Sequence, residues 1–156
     1  MILTSPSGAL VPGVNTLLAI FRVYADPADD ITFTTAAGDQ LIITMNAACT
    51  TPGVANMVLK DQVGTLLSTA VEAADACTAG NKTFSTWTTS LVITKNTTKK
   101  LYLYGDTTGA STVGDSLQAF INDTDANVTW GINNVGAYAT GSITARGKIY
   151  ANALSR

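Results

Sequence analysis

The sequence predicts an all-β fold, a single antiparallel sandwich of short strands. Three observations predict it. Apolar and polar residues alternate in short runs with a period of two, as half-buried strands require. Turn-forming Gly, Pro, Asn and Asp punctuate those runs about every 8–12 residues, the spacing of antiparallel sandwiches and barrels. The chain also holds 25 Thr against one Glu (Glu72) and six Lys. Thr is β-branched and suits a pleated surface, whereas long helices draw on Glu, Lys and Leu. No helix of useful length separates the strands, which excludes a parallel α/β sheet.

Leu17–Ala25 reads as the first clear strand, with Ala19, Phe21, Val23 and Ala25 on one face and Ile20, Arg22 and Tyr24 on the other. Pro12-Gly13 and Asp26-Pro27 bound it. Residues 1–14 read as an extended N-terminal segment and 15–156 as the sandwich domain. Ile31–Thr35 and Leu41–Met45 follow as strands. Asn56–Asp61 and Thr65–Thr69 flank Gln62-Val63-Gly64, a hairpin in which Gly64 supplies a positive φ. Val71–Ala76 is the one stretch that suits a helical turn. Thr83–Trp87 and Leu91–Thr94 are short strands, and Lys95–Lys99 is a polar turn. Leu101–Tyr104 places Leu101 and Leu103 inward and Tyr102 and Tyr104 outward. Gly105–Gly114 reads as a loop, and Ser116–Ile121, Val128–Ile132 and Ile143–Tyr150 complete the strands. The expected core is Phe21, Val23, Leu41, Ile43, Leu59, Leu101, Leu103, Leu117 and Trp130, with Trp87 and Trp130 as aromatic anchors.

Composition narrows the function classes. The 156 residues suit one domain, and 46% apolar content is enough for a real core. Only 13% of residues are charged and the net charge is −2, which argues against nucleic-acid binding because phosphate neutralisation needs clustered cations. The longest apolar run, Leu17–Phe21, is too short to enter a bilayer as a span. Thr-, Asn- and Gly-rich, charge-poor chains are common among secreted surface proteins. Met1–Pro6 lacks the basic and apolar regions of a signal peptide, so an extracellular location implies a domain of a longer secreted protein. Cys49 and Cys77 have 27 residues between them and no CxxC or His partner. The preferred reading is one intrachain disulfide in an oxidising compartment, the alternative two buried thiols. Chain-entropy estimates give such a bridge roughly 3.5 kcal/mol.

Several segments resemble a known family. Ser5-Pro6-Ser7-Gly8, Leu10-Val11-Pro12-Gly13 and the following LLAIFRVYAD are similar to the start of tandem Ig-like β-sandwich modules in large secreted bacterial surface proteins of uncultured lineages. Thr94–Ser111 resembles the same family's linker, strand and Asp-Thr-Thr-Gly loop. Gly114-Asp115-Ser116-Leu117, Val128-Thr129-Trp130-Gly131 and Ala145-Arg146-Gly147-Lys148-Ile149-Tyr150 are similar as well. The resemblance spans nearly the whole chain and its motifs are structural. It implies an Ig-like sandwich of about seven to ten strands, used as a spacer or contact module at the cell surface. It supplies no catalytic residues.

The chemistry-bearing residues point the same way. Without His there is no Ser-His-Asp or Cys-His arrangement, and neither Ser-x-x-Lys nor Gly-x-Ser-x-Gly occurs. Gly105–Gly114 lacks the Lys and the following helix of a phosphate-binding loop. The expectation is therefore a non-enzymatic protein without a cofactor. Calcium is the one metal considered. Asp123, Asp125 and Asn127 set three oxygen donors on alternate residues, although Val128 stands where a calcium loop has Gly and no Glu follows at the twelfth position. Asp26, Asp29 and Asp30 form a second acidic turn, and such turns between strands more often satisfy local backbone donors as Asx-turns than bind calcium. Lys60 and Lys148 are the strand lysines that an intramolecular isopeptide link would use. Sequons begin at Asn81, Asn96, Asn122 and Asn127. Tyr102 and Tyr104 form the candidate contact surface, for a neighbouring domain or subunit of the same assembly or for carbohydrate. The leading expectation is an extracellular structural or adhesive module. The alternatives are a pilus, filament or surface-layer subunit sharing its first strand, a carbohydrate-binding module, and a viral or phage surface protein.

Overall fold

The structure, a computed structural model, describes residues 2–3, 6, 8–25, 27–35, 39–48, 53–70, 80–121, 128–132, 135–138, 149–150 and 154–155. In chain order the strands are β1 (Ile2–Leu3), β2 (Gly8–Ala9), β3 (Thr16–Tyr24), β4 (Ile31–Phe33), β5 (Gln40–Ala48), β6 (Ala55–Lys60), β7 (Leu66–Thr69) and β8 (Gly80–Phe84). They continue as β9 (Thr86–Trp87), β10 (Leu91–Ile93), β11 (Thr98–Asp106), β12 (Ser116–Ile121), β13 (Val128–Ile132), β14 (Val135–Tyr138), β15 (Ile149–Tyr150) and β16 (Leu154–Ser155). No helix occurs among the described residues, and the chain is all-β. Every pairing is antiparallel except β16 with β2. The strand segments outnumber the seven to ten expected because bulges and breaks split long strands, and because two-residue edge pairings leave little trace in sequence.

One sheet runs β1-β3-β11-β6-β7-β9. Its longest pairing is β3 with β11, nine residues on each side, running from Thr98↔Tyr24 to Gly105↔Thr16. Phe21, Val23, Leu101 and Leu103 face the core, as the alternation predicts. The register shifts between Leu103 and Tyr104, where Leu18 is extra on β3. That bulge buries two successive side chains, Leu18 and Ala19, instead of one. Close to it stands Gly105, paired with Thr16, which belongs to β11 rather than to the loop that the sequence suggested. A Cβ there would sit 2.8 Å from Val54 Cγ1 and 3.0 Å from Leu18 Cδ1, so the crowded bulge explains this glycine. The β6–β7 turn has the expected form, with Gly64 at φ 90°.

The second sheet follows the path β10-β4-β13-β5-β12-β16-β2, with β8 beside β5, β14 beside β13 and β15 beside β12. Leu41, Ile43 and Met45 on β5 are all buried, as their shared face predicts. Side chains of both sheets, among them Phe21, Leu59 and Leu103 from the first and Phe33, Ile43, Phe84 and Leu117 from the second, form one apolar cluster. Residues 80–93 tie the sheets together. β8 pairs with β5 through Leu41↔Phe84, and β10 pairs with β4 through Leu91↔Phe33, both in the second sheet. Between them β9 crosses to pair with β7 in the first, Ser68↔Trp87 and Thr69↔Thr86.

Trp87 anchors that crossing. Its backbone N–H donates to Thr35 Oγ1 at 2.7 Å, and the Thr35 hydroxyl donates back to the Trp87 carbonyl at 3.2 Å. Its indole Nε1–H donates to the buried Asp39 carbonyl at 2.9 Å, and its ring lies 4.9 Å from that of Phe33. The Asp39 carboxylate accepts from the Thr34 N–H at 2.9 Å. The expected role of Trp87 as a core anchor is thus met, while the side chain of Trp130 on β13 is outside the described set.

The N-terminal segment is woven into both sheets. Ile2 and Leu3 pair with Arg22 and Phe21 on the edge of one, and Gly8 and Ala9 pair with Leu154 and Ser155 on the edge of the other. Leu10 is buried and donates its N–H to the Ser155 carbonyl at 2.7 Å. These short pairings cover parts of two otherwise open sheet edges. Cys49, Cys77, the Val71–Ala76 stretch, Asp26, Asp123, Asp125, Asn127, Lys148 and most of Ile143–Tyr150 lie outside the described residues. The Leu18 bulge leaves no room at Gly105, so Gly105→Ala is expected to lower unfolding stability by about 1–3 kcal/mol. Urea denaturation measures this, and an unchanged midpoint would show that the bulge can relax.

Candidate functional site

The outward face of the β3–β11–β6 unit gathers the sequence-predicted tyrosines with cations. Inward positions alternate with outward ones along each strand, so the register fixes which outward side chains adjoin. Lys100 pairs with Arg22 across β11 and β3. Tyr102 has Ile20 on one side and Lys60 on the other, and Tyr104 lies between Leu17 and Val58. Tyr102 and Tyr104 are half-buried, as are Arg22, Lys60 and Lys100, and Tyr24 at the end of β3 is 52% exposed. Lys60 Nζ stands 5.0 Å from the centroid of the Tyr104 ring. Such a cation–π contact contributes about 0.5–1 kcal/mol at an exposed site.

The face is electrostatically one-sided. Arg22 and Lys100 are like charges directly opposite on neighbouring strands, an arrangement that destabilises a sheet. Arg22 Nε is buried with no hydrogen-bond partner among the described residues. The nearby acids are engaged elsewhere. The Asp61 carboxylate accepts from the N–H groups of Val63 and Thr65 at 2.9 and 2.8 Å, which closes the β6–β7 turn. Partial desolvation pushes the Asp61 pKa up, but the hydrogen bonds from Thr65, Val63 and Gly64 outweigh it and hold the carboxyl below the ordinary Asp range. Asp106 at the end of β11 is lowered by the Thr108 hydroxyl first and the Thr108 N–H second.

The acidic turn at Asp29 and Asp30 has a structural use. Asp29 Oδ1 accepts from the Asp30 N–H at 2.9 Å, and Asp30 Oδ1 accepts from the Lys95 N–H at 2.8 Å, which ties the turn before β4 to the turn after β10. Among the described residues no three Asp, Glu, His or Cys side chains gather as a metal site. Of the expected strand lysines, Lys60 does lie in a strand, β6, and Lys148 is outside the described residues. Lys60 lies half-buried over Tyr104, and Lys82, in β8, is a buried strand lysine that the sequence reading missed. Lys99 falls within β11 rather than in the preceding turn, and Lys100 extends the expected strand as well. Lys82 was recognisable in principle, since Lys82 and Phe84 share a face in a period-two reading, but the expected strand begins one residue later, at Thr83. Of the sequon asparagines, Asn81 lies in β8, where its Oδ1 accepts from the Thr44 hydroxyl at 2.8 Å, and Asn96 occupies a turn with φ 60°.

A second feature sits at one end of the molecule. The 10–15 and 107–115 loops are joined by Thr107 N–H to the Gly13 carbonyl at 2.9 Å, Gly13 N–H to Thr107 Oγ1 at 3.1 Å and a Thr16–Thr107 hydroxyl contact of 2.8 Å. Thr112 N–H donates to Asp115 Oδ2 at 2.8 Å within the second loop. Val11, Val14 and Val113 project from these loops at 73%, 71% and 86% exposure. The opposite end carries Tyr24 and, on the β6–β7 turn, Val63 at 80%. Comparison of the chain with models of known protein families, with curated proteins and with solved structures finds no match. No helix among the described residues is long and apolar enough to cross a membrane.

Proposed function

We propose that this chain is a non-enzymatic, extracellular structural or adhesive module, one link of a larger bacterial surface protein. In this reading the two sheets pack face to face as an Ig-like sandwich, and a Cys49–Cys77 disulfide closes it. The shared apolar cluster supports the sandwich.

The observation that carries the reading is a pair of exposed apolar patches toward opposite ends of the strand axis. Val11, Val14 and Val113 project from the loops joined by the Gly13–Thr107 contact before β3, and Tyr24 with Val63 lies toward the other end. Arg22 is six residues from Thr16 along β3, about 20 Å at strand rise, so the two patches are well separated along the strands. Such patches give each link of a head-to-tail string an apolar contact with the next.

A direct fusion of two copies, measured by small-angle X-ray scattering in high salt, is expected to be close to twice as long as one copy. A fused pair folded back side by side would contradict the string. Alkylation of the denatured, unreduced protein is expected to leave Cys49 and Cys77 unlabelled, and labelling of both would remove the disulfide.

A further inference from the structure

We propose that the outward β3–β11–β6 face, centred on Arg22, Lys60 and Lys100, docks against the acidic surface of a second copy of this chain. The inference rests on the module reading, in which copies stand close together. Three of the chain's nine cations lie on this one face, and among the described residues no acid pairs with them. A chain with 25 Thr had neutral strand residues to place there. It instead sets Arg22 opposite Lys100, which costs stability in the isolated module. An incoming carboxylate offsets that repulsion and pairs with a guanidinium whose Nε is already desolvated.

Charge complementarity identifies the occupant. With three cations on this face, the remainder of the chain holds six against eleven acids. Among the described residues outside this face, the solvent-reaching acids Asp29, Asp30, Asp61 and Asp106 outnumber the exposed cations Lys95 and Lys99, so a second copy presents an excess of acid there. Neutral sugar is a poorer fit, because Lys60 already stands over the Tyr104 ring that a sugar would stack on. Ile20, Val58 and the two tyrosines supply apolar area around the charges. The contact joins two different surfaces, so it is heterologous and extends into open-ended rows rather than closing as a dimer.

Sedimentation velocity tests this over a concentration series at low salt and at about 1 M salt, where the screening length falls to about 3 Å. The wild type is expected to rise above 16.1 kDa with concentration at low salt and to return to it at high salt. Lys60→Glu with Lys100→Glu is expected to stay monomeric throughout. Lys60→Gln with Lys100→Gln gives the same reading at milder perturbation if the Glu pair fails a thermal-melt check of folding. A monomeric wild type at low salt, or association unchanged in the charge variants, would overturn the proposal. So would a monomeric wild type that binds polygalacturonate through Lys60 and Lys100, since the face would then serve an anionic glycan. The fused-pair measurement in high salt is independent of this contact, so either idea can fail alone.

Discussion

The crossing of Trp87 from one sheet to the other is the interaction on which the rest of the structure depends. Residues 80–93 lend β8 and β10 to one sheet and β9 to the other, so neither sheet is completed without the same short stretch. The indole hydrogen bond satisfies a carbonyl at Asp39, a residue with no solvent exposure. Leaving such a group without a donor costs about 1–3 kcal/mol. Thr35 holds the Trp87 backbone on both its N–H and carbonyl sides, and Thr34 and Asp39 close the loop that receives it. The high threonine content has a physical use here. Hydroxyls of Thr35, Ser68 and Thr88 satisfy backbone groups where the ladders break.

Much of this fold is legible in the sequence because period-two burial leaves a direct imprint. Phe21, Val23, Leu41, Ile43, Leu101 and Leu103 are buried where alternation puts them, and Tyr102 and Tyr104 face away from the core. The misses share one cause, which is that register is a property of two strands. Leu18 breaks the alternation where β11 shifts against β3, and Gly105 shows itself a strand residue only through its pairing with Thr16. The two-residue pairings of β1 and β2 are too short for any periodicity, and the break at Ser85 that divides the expected Thr83–Trp87 strand between the two sheets leaves no mark in it. Lys82 falls one residue before the expected strand start at Thr83, and strand register buries it opposite Ile43.

The candidate site was half visible for the same reason. Two alternating tyrosines on one strand stand out in sequence, but Arg22, Lys60 and Lys100 are far apart along the chain and meet only through the β3–β11–β6 register. Asp29 and Asp30, by contrast, were conspicuous as an acidic turn, and they hold neighbouring backbone donors. Acid runs in a strand-rich chain more often cap turns than bind cations, and the fold shows how. The placement of Arg22 opposite Lys100 is, among the described residues, a feature of this surface that local turn chemistry leaves unexplained.

The central claim is that the shared 80–93 segment makes the two sheets a single cooperative unit. Native-state hydrogen exchange tests it most directly, because it reports the opening free energy of each strand separately. The account predicts that the slowest amides of β3 and β11 open with the same free energy as those of β5 and β12, both equal to that of global unfolding. Exchange of one sheet through a distinctly lower-energy opening, with the other still protected, would contradict it.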